Sequence, residues 1–108
     1  MTSKKSASAK RARPFRDIQQ AKQFLKDWER LCQAGRYDLH RLKTAMLLLA
    51  AGEPLPPEYL DHELRGEWDG YRECHIGGDF LLIYRIWNSG KVEQVIFART
   101  GTHADLFR

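Results

Sequence analysis

The amino-acid sequence predicts an α+β fold in which two N-terminal helices pack on a small antiparallel sheet and a short helical turn ends the chain. Two patterns predict this fold. In residues 17–52, apolar side chains recur at intervals of three and four, the period of an amphipathic helix, whereas from residue 71 onward the period is two, as in strands. Glycine-containing turns join the strands into antiparallel hairpins, and helices are expected to cover one face of such a sheet.

The length of 108 residues fits one domain, and charge separates the first residues from the rest. Residues 1–16 contain six basic and no acidic residues, whereas the remaining 12 basic and 14 acidic residues sum to −2. We therefore expect residues 1–13 to be a disordered basic extension, either a solvated tail or an arm that contacts a polyanion. Residues 14–108 are expected to form the folded domain.

The two predicted helices have recognisable ends. The first starts at Asp17 and ends at Gly35, and the second is capped by Asp38 and ends before Gly52. The apolar face of the first consists of Ile18, Ala21, Phe24, Leu25, Trp28, Leu31 and Cys32, and that of the second consists of Leu39, Leu42, Ala45, Met46 and Leu49. The short loop between them predicts a helical hairpin.

Residues 53–67 contain three prolines and are expected to be irregular, which in a compact domain often indicates a functional segment. Three strands follow, at residues 71–76, 80–86 and 91–100. The turns between them are Gly77-Gly78 and Asn88-Ser89-Gly90. Thr102 is expected to cap the terminal helical turn.

Hairpin geometry brings polar residues to one end of the predicted sheet. The first turn makes His75 and Asp79 approximate cross-strand neighbours. If Ile86 pairs with about Lys91, the same register brings Arg99 beside residues 78–79. The terminal turn then places His103 and Phe107 four residues apart on one side, and His62 could reach the same place. Each residue alone also has a structural interpretation: Arg99 could pair with an acidic residue, and Phe107 could hold down the chain end.

The predicted cluster offers proton carriers and a cation without a protein nucleophile. The serines lie in the N-terminal extension or a turn, and Cys74 points away from His75 because strand side chains alternate. The sequence contains no HExxH or CxxC motif, so a metal site is poorly supported. These features suit RNA, whose 2′-hydroxyl can attack the adjacent phosphate if a base and an acid move protons. With two cysteines in no disulfide pattern and no apolar run of about 20 residues, we expect a reduced, cytoplasmic protein without a membrane span.

Three motifs within residues 59–107 resemble the YafQ branch of the RelE-like toxins of bacterial type II toxin–antitoxin systems. They are D-H-x-L-x-G-x-W-x-G-Y-R from Asp61, H-x-x-x-D from His75 and R-T-G-T-H-x-x-L-F from Arg99. The resemblance implies a ribosome-dependent mRNA endonuclease that cuts the codon in the A site and needs no metal or other cofactor.

The resemblance also implies roles for individual residues. Asp79 would be the general base, His103 the general acid and Arg99 the group that stabilises the phosphate. His62 and His75 would orient the substrate or share the proton transfer. The predicted substrate contacts are Phe107, which would stack on a base, together with Phe80 and Arg72. Phe80 stands where the family pattern has tryptophan.

The partners implied are the ribosome with its mRNA and a cognate antitoxin, which would neutralise the toxin and carry the DNA contacts that repress their shared operon. Two alternatives do not cleave RNA: a ParE-like gyrase poison, and an inactive homologue that retains only antitoxin binding. A ribosome-independent ribonuclease is a third and weaker alternative. The number of proton-carrying side chains argues against a protein that only binds.

Overall fold

The computed structural model describes residues 15–107, and the predicted extension at residues 1–13 lies outside this range. The fold is α+β, as predicted. The elements in chain order are β1 (Asp17–Gln20), α1 (Lys22–Ala34), α2 (Leu39–Ala51), β2 (His62–Glu63), β3 (Arg72–Gly77), β4 (Phe80–Asn88), β5 (Glu93–Gly101) and α3 (His103–Leu106). The strands form one five-stranded sheet of order β1-β5-β4-β3-β2. Short 3-10 turns at Pro57–Tyr59 and Gly66–Trp68 flank β2. None of the helices in residues 15–107 is long and apolar enough to cross a membrane.

Both helices of the hairpin form where their local signals indicate. Gly35 and Gly52 adopt left-handed conformations at φ +69° and +75°, which end α1 and α2. Asp38 accepts a hydrogen bond from the Arg41 amide and caps α2. The helices bury Phe24, Leu31 and Leu42 against one face of the sheet. Both helices thus contribute buried side chains to the core on this face of the sheet.

The sheet is mixed: the predicted strands pair antiparallel, but a further strand that was not predicted, β1, makes one parallel pair. Residues 17–20, expected to begin the first helix, form β1, which pairs in parallel with β5 from Asp17–Gln94 to Gln20–Phe97. All four residues of β1 are exposed, and Ile18 keeps 47% of its surface. Helical spacing of Ile18 was therefore coincidental, because main-chain pairing with the open edge of β5 decides the conformation here.

Residues 53–67, expected to be irregular, contain a strand of two residues. In β2, His62 pairs with Glu73 and Glu63 pairs with Arg72, both antiparallel. The prolines precede this strand, so its amides remain available for the sheet. This short strand places the proline-rich segment beside β3.

The pairing between β4 and β5 differs from prediction by four residues. Ile86 lies opposite Val95 instead of Lys91, because the strands continue to Asn88–Glu93 before the chain turns. The Ser89 amide and hydroxyl both bond the carbonyl of Val92 and close this wider turn. Arg99 consequently pairs with Ile83, next to a bulge between Ile83 and Tyr84, and does not lie beside residues 78–79.

A second, smaller core covers the sheet face opposite the helical hairpin. It contains Leu81, Ile83, Ala98 and Leu106, and partly buried Leu64, Trp68 and Tyr71 pack against it. Leu106 belongs to α3, so the end of the chain folds back onto the sheet. The segment around β2 and the terminal helix thereby meet on this face.

Candidate active site

A buried carboxylate lies among three imidazoles on the face of the sheet that carries the smaller core. Glu73 is 4% exposed, and its Oε2 lies 3.5 Å from Nε2 of His62, 3.5 Å from Nε2 of His75 and 4.0 Å from Nε2 of His103. We call these four residues the histidine cluster. A buried carboxylate is retained in proteins when positive charge or hydrogen-bond donors surround it, and imidazoles supply both when they carry protons.

Three elements, β2, β3 and α3, bring the histidine cluster together. Glu73 and His75 are two residues apart in β3, so both side chains point to the same face. His62 lies directly opposite Glu73 in β2, and His103 is the first residue of α3. The ring centroids are 6.1 Å apart for His62 and His75 and 6.2 Å apart for His75 and His103. The three rings therefore form a row along one side of the carboxylate.

The main chain before β2 orients His62. Its Nδ1 lies 2.8 Å from the carbonyl oxygen of Leu60, which can only accept, so Nδ1 carries the proton. This hydrogen bond fixes the ring so that Nε2 faces Glu73, to which it can donate only when the imidazole carries a second proton. Leu60 has φ +50° and is the only non-glycine residue with positive φ within residues 15–107. Such strained conformations are frequent at functional sites, where the surrounding structure maintains them.

Asp79 holds His103 from the other side. Its Oδ1 bonds Nδ1 of the imidazole and accepts a hydrogen bond of 3.2 Å from the His103 amide. Both hydrogen bonds lower the pKa of the Asp79 carboxyl below its usual value, and the one to the imidazole has the larger effect. Asp79 therefore orients His103 through Nδ1, and Nε2 of His103 faces Glu73.

A capping box fixes the terminal helix that carries His103. The Thr102 hydroxyl accepts from the Asp105 amide, and the Asp105 carboxylate accepts from the Thr102 amide. Phe107 follows this helix, with its ring centroid 5.7 Å from that of His103 and 41% of its surface exposed. An aromatic ring is thus available to a ligand next to the proton-carrying groups.

The structure brings together five of the predicted site residues: His62, His75, Asp79, His103 and Phe107. It does not bring Arg99 to Asp79, because the register differs. The Arg99 guanidinium instead bonds the buried carboxylate of Asp27 on α1, at 2.8 Å from Nε and 3.1 Å from Nη2.

Two predicted substrate contacts also lie away from the histidine cluster. Phe80 is 4% exposed and packs in the core beneath the helices, with its ring 5.0 Å from that of Tyr37. Arg72 precedes Glu73 in β3 and so points to the opposite face. There it bonds Asp61 at 3.1 Å, and the Tyr84 hydroxyl donates to the same carboxylate at 2.5 Å.

Glu73 was not among the predicted site residues. Its signal was the alternation Glu73-Cys74-His75, which places the carboxylate and an imidazole on one face of a strand. Within residues 15–107, one group of side chains could hold a metal ion: the ligand atoms of His62, Glu73 and His75 lie within 4.8 Å of one another. The site therefore combines proton carriers, carboxylates and an exposed ring.

The sequence and the fold are similar to those of known proteins. The family described as the bacterial toxin of type II toxin–antitoxin systems, YafQ, matches residues 16–108. The chain is 43% identical over 93 residues to the mRNA interferase toxin YafQ of Escherichia coli K12, covering 85% of this chain and 96% of the relative.

Solved structures agree with the sequence comparison. A crystal structure of YafQ from E. coli BL21(DE3) superposes with a TM-score of 0.77 at 41% identity, covering 86% of this chain and 99% of that one. YafQ in the E. coli DinJ–YafQ complex gives 0.72 at 44% identity, covering 86% and 99%. A metal-bound toxin from Helicobacter pylori gives 0.75 at 36% identity, covering 85% and 99%.

Proposed function

Since this chain belongs to the YafQ family of toxins of bacterial type II toxin–antitoxin systems, we propose that the histidine cluster cleaves messenger RNA by metal-free acid–base catalysis. Like its curated relatives, the protein is an mRNA interferase, an endoribonuclease. The observation that supports this mechanism is the buried Glu73 carboxylate among three imidazoles. Cys74 lies between Glu73 and His75 in the sequence, but its thiol is fully buried on the other face of the sheet and is not available as a nucleophile. The nucleophile is the 2′-hydroxyl of the substrate itself.

The acid step is assigned to His103. Attack of the 2′-oxygen on the adjacent phosphorus breaks the bond to the 5′-oxygen, which must gain a proton as it leaves. Asp79 holds Nδ1 of His103, and the imidazole can deliver that proton through Nε2. This role of Asp79 differs from the one that the resemblance implies. A carboxylate with a lowered pKa is a weak proton acceptor, and its contacts suit it to orient the imidazole instead.

The base step is assigned to Glu73 acting with His75 and His62. The carboxylate is buried, and a neighbouring imidazole can carry the proton between it and the 2′-hydroxyl. Because these three side chains are close enough to exchange protons, the role of general base is assigned to all three together. Phe107 stacks on a base of the RNA, as aromatic rings do with single strands. Arg99 stabilises the charge on the phosphate.

The proposed substrate is mRNA in the ribosomal A site, which makes the cytoplasm the place of action. A cognate antitoxin neutralises the toxin, as the complex of E. coli YafQ with DinJ suggests, and represses the operon through its own DNA contacts. No metal or other cofactor takes part in the proposed cleavage.

Cut sites on translating mRNA test this proposal. Primer extension should reveal cuts within codons for the unchanged chain, and both His103→Ala and Glu73→Gln should abolish them. His40→Ala is the matched control, because His40 is exposed on α2, away from the cluster. Cleavage of naked RNA at the same rate would indicate a ribosome-independent ribonuclease, and DNA damage without mRNA loss would indicate a gyrase poison. Unchanged cutting by folded Glu73→Gln would refute the base assignment.

We infer a second role for the same residues, as an inhibitory metal site. Two imidazoles and a carboxylate suit zinc or copper, and the toxin from H. pylori has been solved in a metal-bound form. Such an ion would occupy the atoms that take the proton, so it should slow cleavage. Added zinc should inhibit the unchanged chain, a chelator should restore the rate, and zinc should bind His62→Ala more weakly. Equal zinc affinity of both chains would refute the site.

A further inference from the structure

The most heavily bonded charge in the described residues lies outside the histidine cluster. Asp27 on α1 is fully buried and accepts five hydrogen bonds. Two come from Arg99, one each comes from the side chains of Arg30 and Gln23, and the last comes from the Thr100 amide. Burial alone would raise the pKa of Asp27, but these hydrogen bonds outweigh it and keep the pKa below its ordinary value. The carboxylate is therefore ionised at neutral pH.

The bond to Arg99 is bidentate. Nε lies 2.8 Å from Oδ2, and Nη2 lies 3.1 Å from Oδ1, so one edge of the guanidinium is fixed. Parallel hydrogen bonds of this kind fix the orientation of the planar group as well as its position. Nη1 donates no hydrogen bond to residues 15–107, and the side chain keeps 21% of its surface. The remaining edge can therefore meet an anion.

A second connection runs from Asp27 to the terminal helix. Arg30 donates to Asp27 from Nη1 at 3.0 Å, and its Nη2 lies 3.5 Å from Oδ2 of Asp105. Asp105 is the acidic member of the capping box at the start of α3. The chain between the two connections is short, since Arg99 precedes His103 by only four residues. One buried charge thus contacts the strand end before α3 and, through Arg30, the cap of α3.

We propose that Asp27 is a positioning residue for cleavage, which holds Arg99 in the orientation that meets the phosphate and, through Arg30 and Asp105, holds the helix that presents His103. This inference rests on the proposed function. It gives α1 a role in the reaction although none of its side chains reaches the histidine cluster. It also gives a role to Arg99 on β5, which the sheet register keeps away from Asp79 and which bonds Asp27 instead.

The test compares full-length variants on ribosomes programmed with mRNA, under single-turnover conditions. Asp27→Asn keeps the side-chain volume and removes the charge that fixes Arg99. We expect a fall of up to about 100-fold in the cleavage rate constant, because small misplacements of catalytic groups have effects of that size. The ribosome concentration at half-maximal rate should not change. Asp17→Asn makes the same substitution at an exposed aspartate on β1 and should cleave normally.

A double variant separates positioning from general stability. If Asp27 acts through Arg99, then Asp27→Asn should not slow the Arg99→Ala chain further. A merely structural Asp27 would add its full effect in that background, and that result would overturn the proposal. An unchanged rate for Asp27→Asn in the wild-type background would overturn it too. Thermal unfolding of each chain gives the folded fraction by which the rates are divided.

If Asp27→Asn does not fold, Arg99→Lys tests the same contact between Asp27 and Arg99. Lysine keeps the charge but cannot make two parallel hydrogen bonds to Asp27. We expect Arg99→Lys to cleave as slowly as Arg99→Ala, and a folded Arg99→Lys chain with more than about a tenth of the wild-type rate would contradict us. If the unchanged chain does not cut ribosome-bound mRNA, the proposed function fails, and the inference fails with it. If the unchanged chain cuts normally but the effects of Asp27→Asn and Arg99→Ala add in the double variant, the inference is refuted and the proposed function is not.

Discussion

Replacing Tyr84 by phenylalanine tests the contacts that hold β2 in place. The Tyr84 side chain is 2% exposed, and its hydroxyl donates to Oδ1 of Asp61 at 2.5 Å. Asp61 directly precedes His62, so this contact and those from Arg72 anchor the short strand that carries an imidazole of the histidine cluster. Phenylalanine fills the same core volume and removes only the hydroxyl.

The expected loss follows from the type of hydrogen bond. A hydrogen bond to a charged group contributes about 1.5–3 kcal/mol to stability. Arg72 still bonds Asp61 in the variant, so the carboxylate is not left unpaired and the lower end, about 1.5 kcal/mol, applies. For a domain of about 60–100 residues, 1 kcal/mol shifts Tm by about 4–8 °C, which predicts a fall of about 6–12 °C.

Thermal and urea unfolding measure this loss, with Tyr71→Phe as the matched control. Tyr71 lies just before β3 and packs edge-on against Trp68 at 5.1 Å between ring centroids. Its hydroxyl makes no hydrogen bond within residues 15–107, so its removal should change Tm little. Equal shifts in Tm for the two variants would refute the reasoning, because the Asp61 contact would then contribute nothing.

Three further predictions concern reactivity, acid stability and the terminal helix. A thiol reagent at pH 8 should label exposed Cys32 in the native chain and reach Cys74 only after unfolding, since burial raises the pKa of Cys74 to about 12; two thiols reacting before denaturant is added would contradict this. Because the pKa of Asp27 is lower in the folded chain than its unfolded value of about 3.9, the unfolded chain binds more protons around that pH, and stability rises with pH. The contribution of Asp27 to stability should be complete near neutrality and lost as the pH falls through its folded pKa. Urea titrations at several pH values should therefore show that the free energy of unfolding falls less steeply with acid in Asp27→Asn than in the wild type. Equal falls in the two chains would oppose the assignment. Gly101 has φ +151°, a backbone conformation that other residues rarely adopt, so Gly101→Ala should cost about 1–3 kcal/mol and speed hydrogen exchange in α3. Unchanged exchange would exclude the strain.

Local chemistry was enough to predict the elements whose signals are contained in their own residues. Asp38, Gly35 and Gly52 end or cap helices through neighbouring main-chain groups, and each acts as expected. The same holds for Thr102 at the terminal helix. The hairpin was predictable, but its register was not: His75 pairs with Leu81 instead of Asp79, and Asp79 lies in the turn. Both residues nevertheless contact His103.

Pairing between distant segments was not predictable in this way. Ile18 fits a helical period, yet residues 17–20 join the edge of β5, which lies more than 70 residues later in the chain. The wider turn between β4 and β5 moves Arg99 opposite Ile83 and leaves its guanidinium to Asp27. Each outcome depends on main-chain hydrogen bonds whose partners no local pattern reveals.

The sequence by itself determined the α+β class, the helical hairpin, the family and the set of histidines, because period, capping and motif are properties of neighbouring residues. The tertiary structure alone decided that Glu73 is the centre of the histidine cluster and that Asp27 holds Arg99. Both carboxylates are ordinary surface-type residues in the sequence, and only the fold buries them beside distant imidazoles or guanidinium groups. Burial and charge pairing arise when β2, β3, α1 and α3 meet, and the free energy of an enclosed charge depends on all of those neighbours together.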